Sequence, residues 1–174
     1  MQEWSVLRSR CARMNPVNRD LKQPLAKAFA PGVEVEAGSR GRALVVEDSA
    51  VNQEMARAML DMLGFHVTTA SNGHEGVLAA AADPDLDLIF MDCQMPVMDG
   101  LAAARAIRIA EAGGSRVPIV ALTGSANPGD REACLAAGMD DYLAKPFSLA
   151  ALRTMIDRWT GSTTLADASA LRKV

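Results

Sequence analysis

Asp48, Asp92, Thr123 and Lys145 each close a short apolar run of the kind that forms a buried strand. If those runs lie parallel in one sheet, their carboxyl ends share an edge and the four side chains meet in one crevice. Glu47 adds a further carboxylate beside Asp48. Three carboxylates within a few ångströms repel one another, by roughly 4 kcal/mol for a pair at about 4 Å and an effective dielectric of about 20. Lys145 offers one compensating charge, and a divalent cation such as Mg²⁺ would offer two. Mg²⁺ is hard, keeps several waters and takes one or two carboxylates together with phosphate oxygens. Such a group of side chains could hold a cation and pass a phosphoryl group onto an aspartate. Acids at strand ends are common in solvated loops, and it is the whole set, rather than any one acid, that points to chemistry.

The elements that must position these residues begin at Arg42. Ala43-Leu44-Val45-Val46 is an unbroken apolar run, as in a parallel strand covered on both faces. Val51, Met55, Met59 and Met62 then recur at helical spacing, with Gly64 where a helix would stop. Read this way, the methionines are core residues of that helix rather than a binding stripe. Phe65 to Ala70 is a β-branched second strand, and Asn72-Gly73 turns the chain into an alanine-rich helix ending near Asp83-Pro84. Leu86 to Met91 reads as the third strand, and Met98-Asp99-Gly100 launches a helix to about Ala110. Val117 to Leu122 reads as the fourth strand, and a helix runs from Pro128 to a stop at Gly138. Asp141 to Ala144 is a short fifth strand. Ser148 caps a last helix whose Leu149, Leu152, Met155, Ile156 and Trp159 form its apolar face. Strands alternating with helices predict a three-layer, doubly wound α/β sandwich over residues 42–160, with right-handed crossovers. In a flavodoxin-like sheet of order 2-1-3-4-5, ligands bind outside the carboxyl ends of strands 1 and 3, where the strand order reverses. Those strands end in Glu47-Asp48 and Asp92.

Composition excludes several classes of function. At 49% hydrophobic and 22% charged, the 174 residues are those of an ordinary globular protein. The longest apolar stretches run four to six residues, far short of the roughly 20 needed to span a bilayer. No basic-then-apolar leader opens the sequence, which points to a cytoplasmic protein. Cys11, Cys93 and Cys134 lack any C-x-x-C spacing, so neither a disulfide framework nor a zinc site is expected. Residues 1–42 carry eight basic and four acidic side chains, and the remainder ten and seventeen. An acidic folded part argues against DNA binding. Residues 1–41 read as a leader and linker rich in proline and glycine. Trp4, Leu7, Cys11 and Met14 could stripe a short helix near 3–14, and 161–174 read as a tail. His66 and His74 lie outside the strand-end set and read as surface residues. Cys93, one residue past Asp92, should point away from the site by strand alternation and behave as an inert thiol.

Val45-Val46-Glu47-Asp48, the run Met91-Asp92-Cys93-Gln94-Met95-Pro96-Val97-Met98-Asp99-Gly100, Ala121-Leu122-Thr123-Gly124 and Lys145-Pro146-Phe147 together resemble the receiver domain of bacterial response regulators, most of all the receivers of hybrid histidine kinases. The resemblance covers residues 42–160. It implies that Asp92 is the phosphoacceptor and that Asp48 and Asp92 are direct Mg²⁺ ligands. The backbone carbonyl of Gln94 would be a third ligand, with Glu47 acting through water. Lys145 would pair with one phosphoryl oxygen and Thr123 with another, small Gly124 leaving room. Tyr142 matches the family's aromatic switch, Gln94 and Ser125 its lifetime-tuning positions, and Lys145-Pro146 a peptide that is cis in the family.

The partner so implied is a histidine kinase or a histidine phosphotransfer protein. The output would be a change on the face formed by the fourth helix, fifth strand and fifth helix. The domain would catalyse only its own phosphorylation and dephosphorylation. Two alternatives stay open at this level. One is an aspartate-nucleophile phosphatase or phosphotransferase of the haloacid dehalogenase type, which needs a second acid where this chain has Gln94. The other is an interaction domain that works without phosphorylation.

Overall fold

Five apolar runs assemble into one all-parallel sheet of order β2-β1-β3-β4-β5. The strands are β1 (Gly41–Val46), β2 (Phe65–Ala70), β3 (Leu88–Asp92), β4 (Ile119–Thr123) and β5 (Asp141–Ala144). Between and after them run α1 (Ala50–Met62), α2 (Gly73–Ala82), α3 (Gly100–Ala110), α4 (Pro128–Ala136) and α5 (Leu149–Thr160). The computed structural model describes residues 40–111, 114–124 and 127–161. The helix expected near 3–14, most of the linker, Ser125 and the tail beyond Gly161 lie outside the described residues.

The sheet separates two cores because successive side chains of a strand face opposite ways. Leu44, Val46, Ile89, Met91, Ile119 and Ala121 face α2, α3 and α4, where Val77, Ala103, Ala104, Ile107 and Cys134 meet them. Ala43, Val45, Leu88, Phe90, Val120 and Leu122 face α1 and α5, packing on Ala56, Leu60, Leu152, Met155 and Ile156. The three inner strands are buried on both faces, which explains their continuous hydrophobic runs. Truncating a side chain such as Leu60, fully buried, would cost about 2–5 kcal/mol.

Helix starts follow sequence chemistry. Ser49, Asn72, Asp99, Asn127 and Ser148 each accept a hydrogen bond from a first-turn backbone N–H, a contribution of about 1 kcal/mol apiece. Each cap follows a strand's carboxyl end, so the helices enter beside the same edge that carries the candidate residues.

Three expectations need correction. β3 starts at Leu88 rather than Leu86, because Asp87 is occupied at the sheet's margin: its N–H donates to the Arg42 carbonyl and its carboxylate accepts the Arg42 N–H. β4 starts at Ile119 rather than Val117. Pro118 has no N–H for a ladder, and the Val117 N–H donates to the Glu111 carboxylate instead. Of the four-residue apolar stripe expected as the core face of α1, Met59 alone packs on the core. Val51 is 79% exposed, Met62 60% and Met55 37%. With 3.6 residues per turn, these positions lie opposite Ala56 and Leu60, which fill the core with Met59 and Leu63 packed beside them.

Candidate functional site

Parallel register brings the predicted residues to one edge. Val46 pairs with Met91, Asp92 with Leu122, and Thr123 with Ala144. Glu47-Asp48, Asp92, Thr123 and Lys145 therefore all leave the sheet at its carboxyl end, around the reversal of strand order between β1 and β3. One carboxylate oxygen from each of Glu47, Asp48 and Asp92 lies within 4.8 Å of the others. Glu47, Asp92 and Thr123 are the buried polar residues of the described chain, whereas Asp48 is exposed.

Lys145 holds this group together. Its Nζ donates to Glu47 Oε2 and to Asp92 Oδ2, both at 2.6 Å. Burial works to lower the lysine's pKa, but the hydrogen bonds and charges of Asp92 and Glu47 outweigh it, so the ammonium is held above its usual range. Asp92 Oδ1 accepts the Gln94 N–H at 3.1 Å. Glu47 Oε1 accepts from Asn52 Nδ2 at 2.9 Å. Both buried acids thus have each carboxylate oxygen engaged by a protein donor, which offsets their desolvation.

Asn52 and Gln53 were not singled out by sequence reasoning. Gln53 Nε2 donates to the carbonyls of Glu47 and Ala70, tying β1 to β2 where both strands end. The available signal was their place in the first turn after the Ser49 cap, directly above the acids. Their amides could also have been ordinary surface polar groups, so spacing did not separate them.

Thr123 and Tyr142 fall on the same face of the sheet by alternation, with Ala121 and away from Leu122 and Leu143. The half-buried Tyr142 ring packs against the core on that face, and the Arg131 guanidinium lies 5.6 Å from its centroid. Among the described residues, and chain neighbours aside, nothing lies within 4 Å of where a Cβ on Gly124 would be, so these residues leave space beside Thr123. The Lys145-Pro146 peptide is cis. Cys93 turns away from the site toward Cys134, with the sulfurs 3.5 Å apart. Burial, then the Cys134 contact, pushes its pKa up to about 12. His66 and His74 are exposed.

Beside Lys145 lies a cavity of about 210 Å³ lined by Glu47, Asn52, Met55, Leu122, Pro146 and Phe147. The site therefore has a charged floor and one apolar wall. Its donor set is all oxygen and strongly anionic, which fits a hard divalent cation better than zinc or copper. A carboxylate that is buried, fixed in orientation and paired with an ammonium can also act as a nucleophile toward an electrophilic phosphorus.

The family model for the response regulator receiver domain matches residues 43–157. This chain belongs to that family. The receiver is 48% identical over 118 residues to hybrid signal transduction histidine kinase G of Dictyostelium discoideum, covering 67% of the chain and 3% of the kinase. Among solved structures, it is similar to the receiver domain of a sensor histidine kinase from Pseudomonas aeruginosa, which has a magnesium ion coordinated in its active site cleft. The identity there is 51%, the TM-score 0.64, and the match covers 70% of this chain and 98% of that one. A third likeness is to the co-crystal structure of a Saccharomyces cerevisiae histidine phosphotransfer signaling protein and the receiver domain of its downstream response regulator. It shows 36% identity, a TM-score of 0.66, and coverage of 72% of this chain and 92% of that one. The match spans 3% of hybrid kinase G and 18% of two-component system protein A of Emericella nidulans. Membership in this family sets aside the haloacid dehalogenase reading.

Proposed function

We propose that the receiver is the phosphoacceptor of a two-component phosphorelay, with Asp92 taking the phosphoryl group from a phosphohistidine. One observation carries this reading: the buried Asp92 carboxylate, bonded to Lys145 at 2.6 Å, lies within the acidic cluster at the sheet's carboxyl edge. The Asp92 oxygen attacks phosphorus, an O–P bond forms, and the P–N bond to the donor's imidazole breaks with its electron pair leaving on nitrogen. Lys145 donates to one phosphoryl oxygen and the Thr123 hydroxyl to another. The open space beside Gly124 admits the group. Asp48, Asp92 and the Gln94 carbonyl would hold Mg²⁺ directly, with Glu47 acting through water. When bound, the ion supplies positive charge that offsets the carboxylates and the phosphoryl oxygens.

The donor is a histidine kinase or a histidine phosphotransfer protein, as in the yeast co-crystal partner of a similar receiver. The chemistry acts on the receiver's own aspartate, so this is a regulatory domain rather than an enzyme with a separate substrate. Its output is carried by Thr123 and Tyr142 to the surface of α4, β5 and α5, whose preference for partners changes with phosphorylation. Residues 42–160 form the receiver, 1–41 a leader and 161–174 a tail. The setting is the cytoplasm, with no direct DNA contact. Among the described residues, no helix is long and apolar enough to cross a membrane.

The test is incubation with acetyl phosphate and Mg²⁺, followed by intact-mass measurement. One added phosphoryl group is expected, lost in Asp92→Asn and on chelation. An unchanged mass of the wild-type chain overturns the reading.

A further inference from the structure

The loop between β3 and α3 carries Gln94, and main-chain bonds do most of the work of shaping it. The Gly100 N–H donates to the Cys93 carbonyl at 3.2 Å and closes the loop at its base. The Met98 N–H donates to the Pro96 carbonyl at 2.8 Å, across Val97 at φ 70. A β-branched residue adopts that left-handed conformation only at a cost, and such strain persists only where the surroundings over-determine it. The far limb is held from outside: the Gly73 N–H, at the start of α2, donates to the Met98 carbonyl at 3.1 Å.

Gly73 does more than donate. A Cβ there would lie 2.6 Å from the Met98 carbonyl oxygen, 2.9 Å from Met98 Cγ and 3.0 Å from Ala103 Cβ. The first of these is backbone and cannot swing aside. With any larger residue at 73, either α2 or the loop must move. The loop is the softer body: α2 is packed on β1 through Gly76 and Val46, whereas the loop's exposed tip is Val97. The loop is closed at its base between Cys93 and Gly100 and bent sharply at Val97, so Met98 and Gln94 belong to one short closed segment.

We propose that Gly73 is a positioning residue for the cation site, holding the β3–α3 loop so that the Gln94 carbonyl faces the carboxylates. Gly73 touches no ligand and acts chiefly through Met98, whose carbonyl is its nearest neighbour. The inference rests on the reading of Asp48, Asp92 and Gln94 as cation ligands, and the experiment separates the two.

Mg²⁺ binding to the full chain is measured by isothermal titration calorimetry for wild type, Gly73→Ala, Gly138→Ala and Asp92→Asn, alongside denaturant stability. Loss of a direct outer partner of a metal ligand typically weakens affinity by roughly 10–100-fold; Gly73 acts one step further out, so Gly73→Ala should raise the Mg²⁺ dissociation constant by about tenfold, the low end of that range. Gly138, at φ +92 against Arg108, lies at the opposite end of the sheet. Its alanine substitution should lower stability and leave Mg²⁺ affinity within about twofold of wild type. A measurement without any variant guards against misfolding. By reciprocity of coupling, saturating Mg²⁺ should slow hydrogen exchange at the wild-type Gly73 amide. Wild-type affinity in a folded Gly73→Ala, equal loosening in Gly138→Ala, or a Gly73 amide indifferent to Mg²⁺ each overturns the inference. Wild type binding no Mg²⁺, or binding it equally after Asp92→Asn, removes the underlying reading and this inference with it.

Discussion

Replacing Lys145 by methionine keeps most of the side chain's length and deletes its charge. In the folded chain the ammonium lies 2.6 Å from both Glu47 Oε2 and Asp92 Oδ2, while carboxylate oxygens of Glu47, Asp48 and Asp92 lie within 4.8 Å of one another. At an effective dielectric of about 20, each contact at 2.6 Å attracts by about 6 kcal/mol. A like pair at 4.8 Å repels by about 3 kcal/mol. Lys145 thus outweighs the repulsion between the two buried acids, and removing it leaves that repulsion uncompensated.

Desolvation cancels much of the gross attraction, and removing one partner of a buried pair costs about 3–5 kcal/mol net. The Lys145 side chain is 21% exposed while that of Glu47 is 2% exposed, which argues for the lower end. Lys145→Met should therefore lose about 3 kcal/mol, read by urea denaturation near neutral pH in EDTA. Adding Asp92→Asn to that variant removes one of the two stranded buried charges and should recover at least about 1 kcal/mol, a non-additivity expected of direct neighbours. Mg²⁺ at about 100 times its dissociation constant should add about 2.7 kcal/mol of stability to any variant that still binds it. A Lys145→Met protein within about 0.5 kcal/mol of wild type in EDTA, or a double variant less stable than the single one, would refute the claim that Lys145 holds the acids together.

The same lysine sets a pH dependence. Its folded pKa is raised above 10.5, so its contribution is fully present below about that pH and is lost as pH climbs through the folded value. The stability gap between wild type and Lys145→Met should stay level from neutral pH to about pH 10.5 and then narrow in alkaline denaturation series. At the other end of the sheet, Arg108 donates to Glu111, Asp140 and the carbonyls of Gly138 and Val117. Arg108→Met leaves Asp140 to Arg116 and the Ile119 N–H, and Glu111, among the described residues, to the Val117 N–H alone; it should cost about 2 kcal/mol, roughly 5–10 °C in thermal unfolding, without altering Mg²⁺ affinity in calorimetry. Cys93, pushed up to about 12, is almost wholly thiol at pH 8. Peptide mapping after iodoacetamide should show it alkylated far more slowly in the native chain than in the denatured one.

Much of this receiver was legible in the residues themselves. Strand and helix signals are local, so β2, β5 and the Ser148 cap stand where the sequence places them. The four strand-end residues were legible because a parallel α/β sheet leaves few arrangements open, and all of them gather the carboxyl ends on one edge. Strand alternation alone also turned Cys93 away from Asp92.

What spacing could not supply was the choice among equivalent faces and partners. Val51, Met55 and Met62 keep helical period as well as any core stripe, yet α1 buries Ala56 and Leu60 instead. Which face of a helix is covered depends on what the sheet presents to it, and that surface is assembled from distant segments. Arg131 over Tyr142 and Gly73 under Met98 join different elements, and Asn52 reaches Glu47 only because the turn from β1 into α1 brings it back over the strand end. The sequence by itself determined which side chains reach the edge of the sheet, because that follows from periodicity and strand order. Only the tertiary structure decided how each is held, because hydrogen bonds and close backbone approaches depend on distances of a few tenths of an ångström that no local pattern encodes.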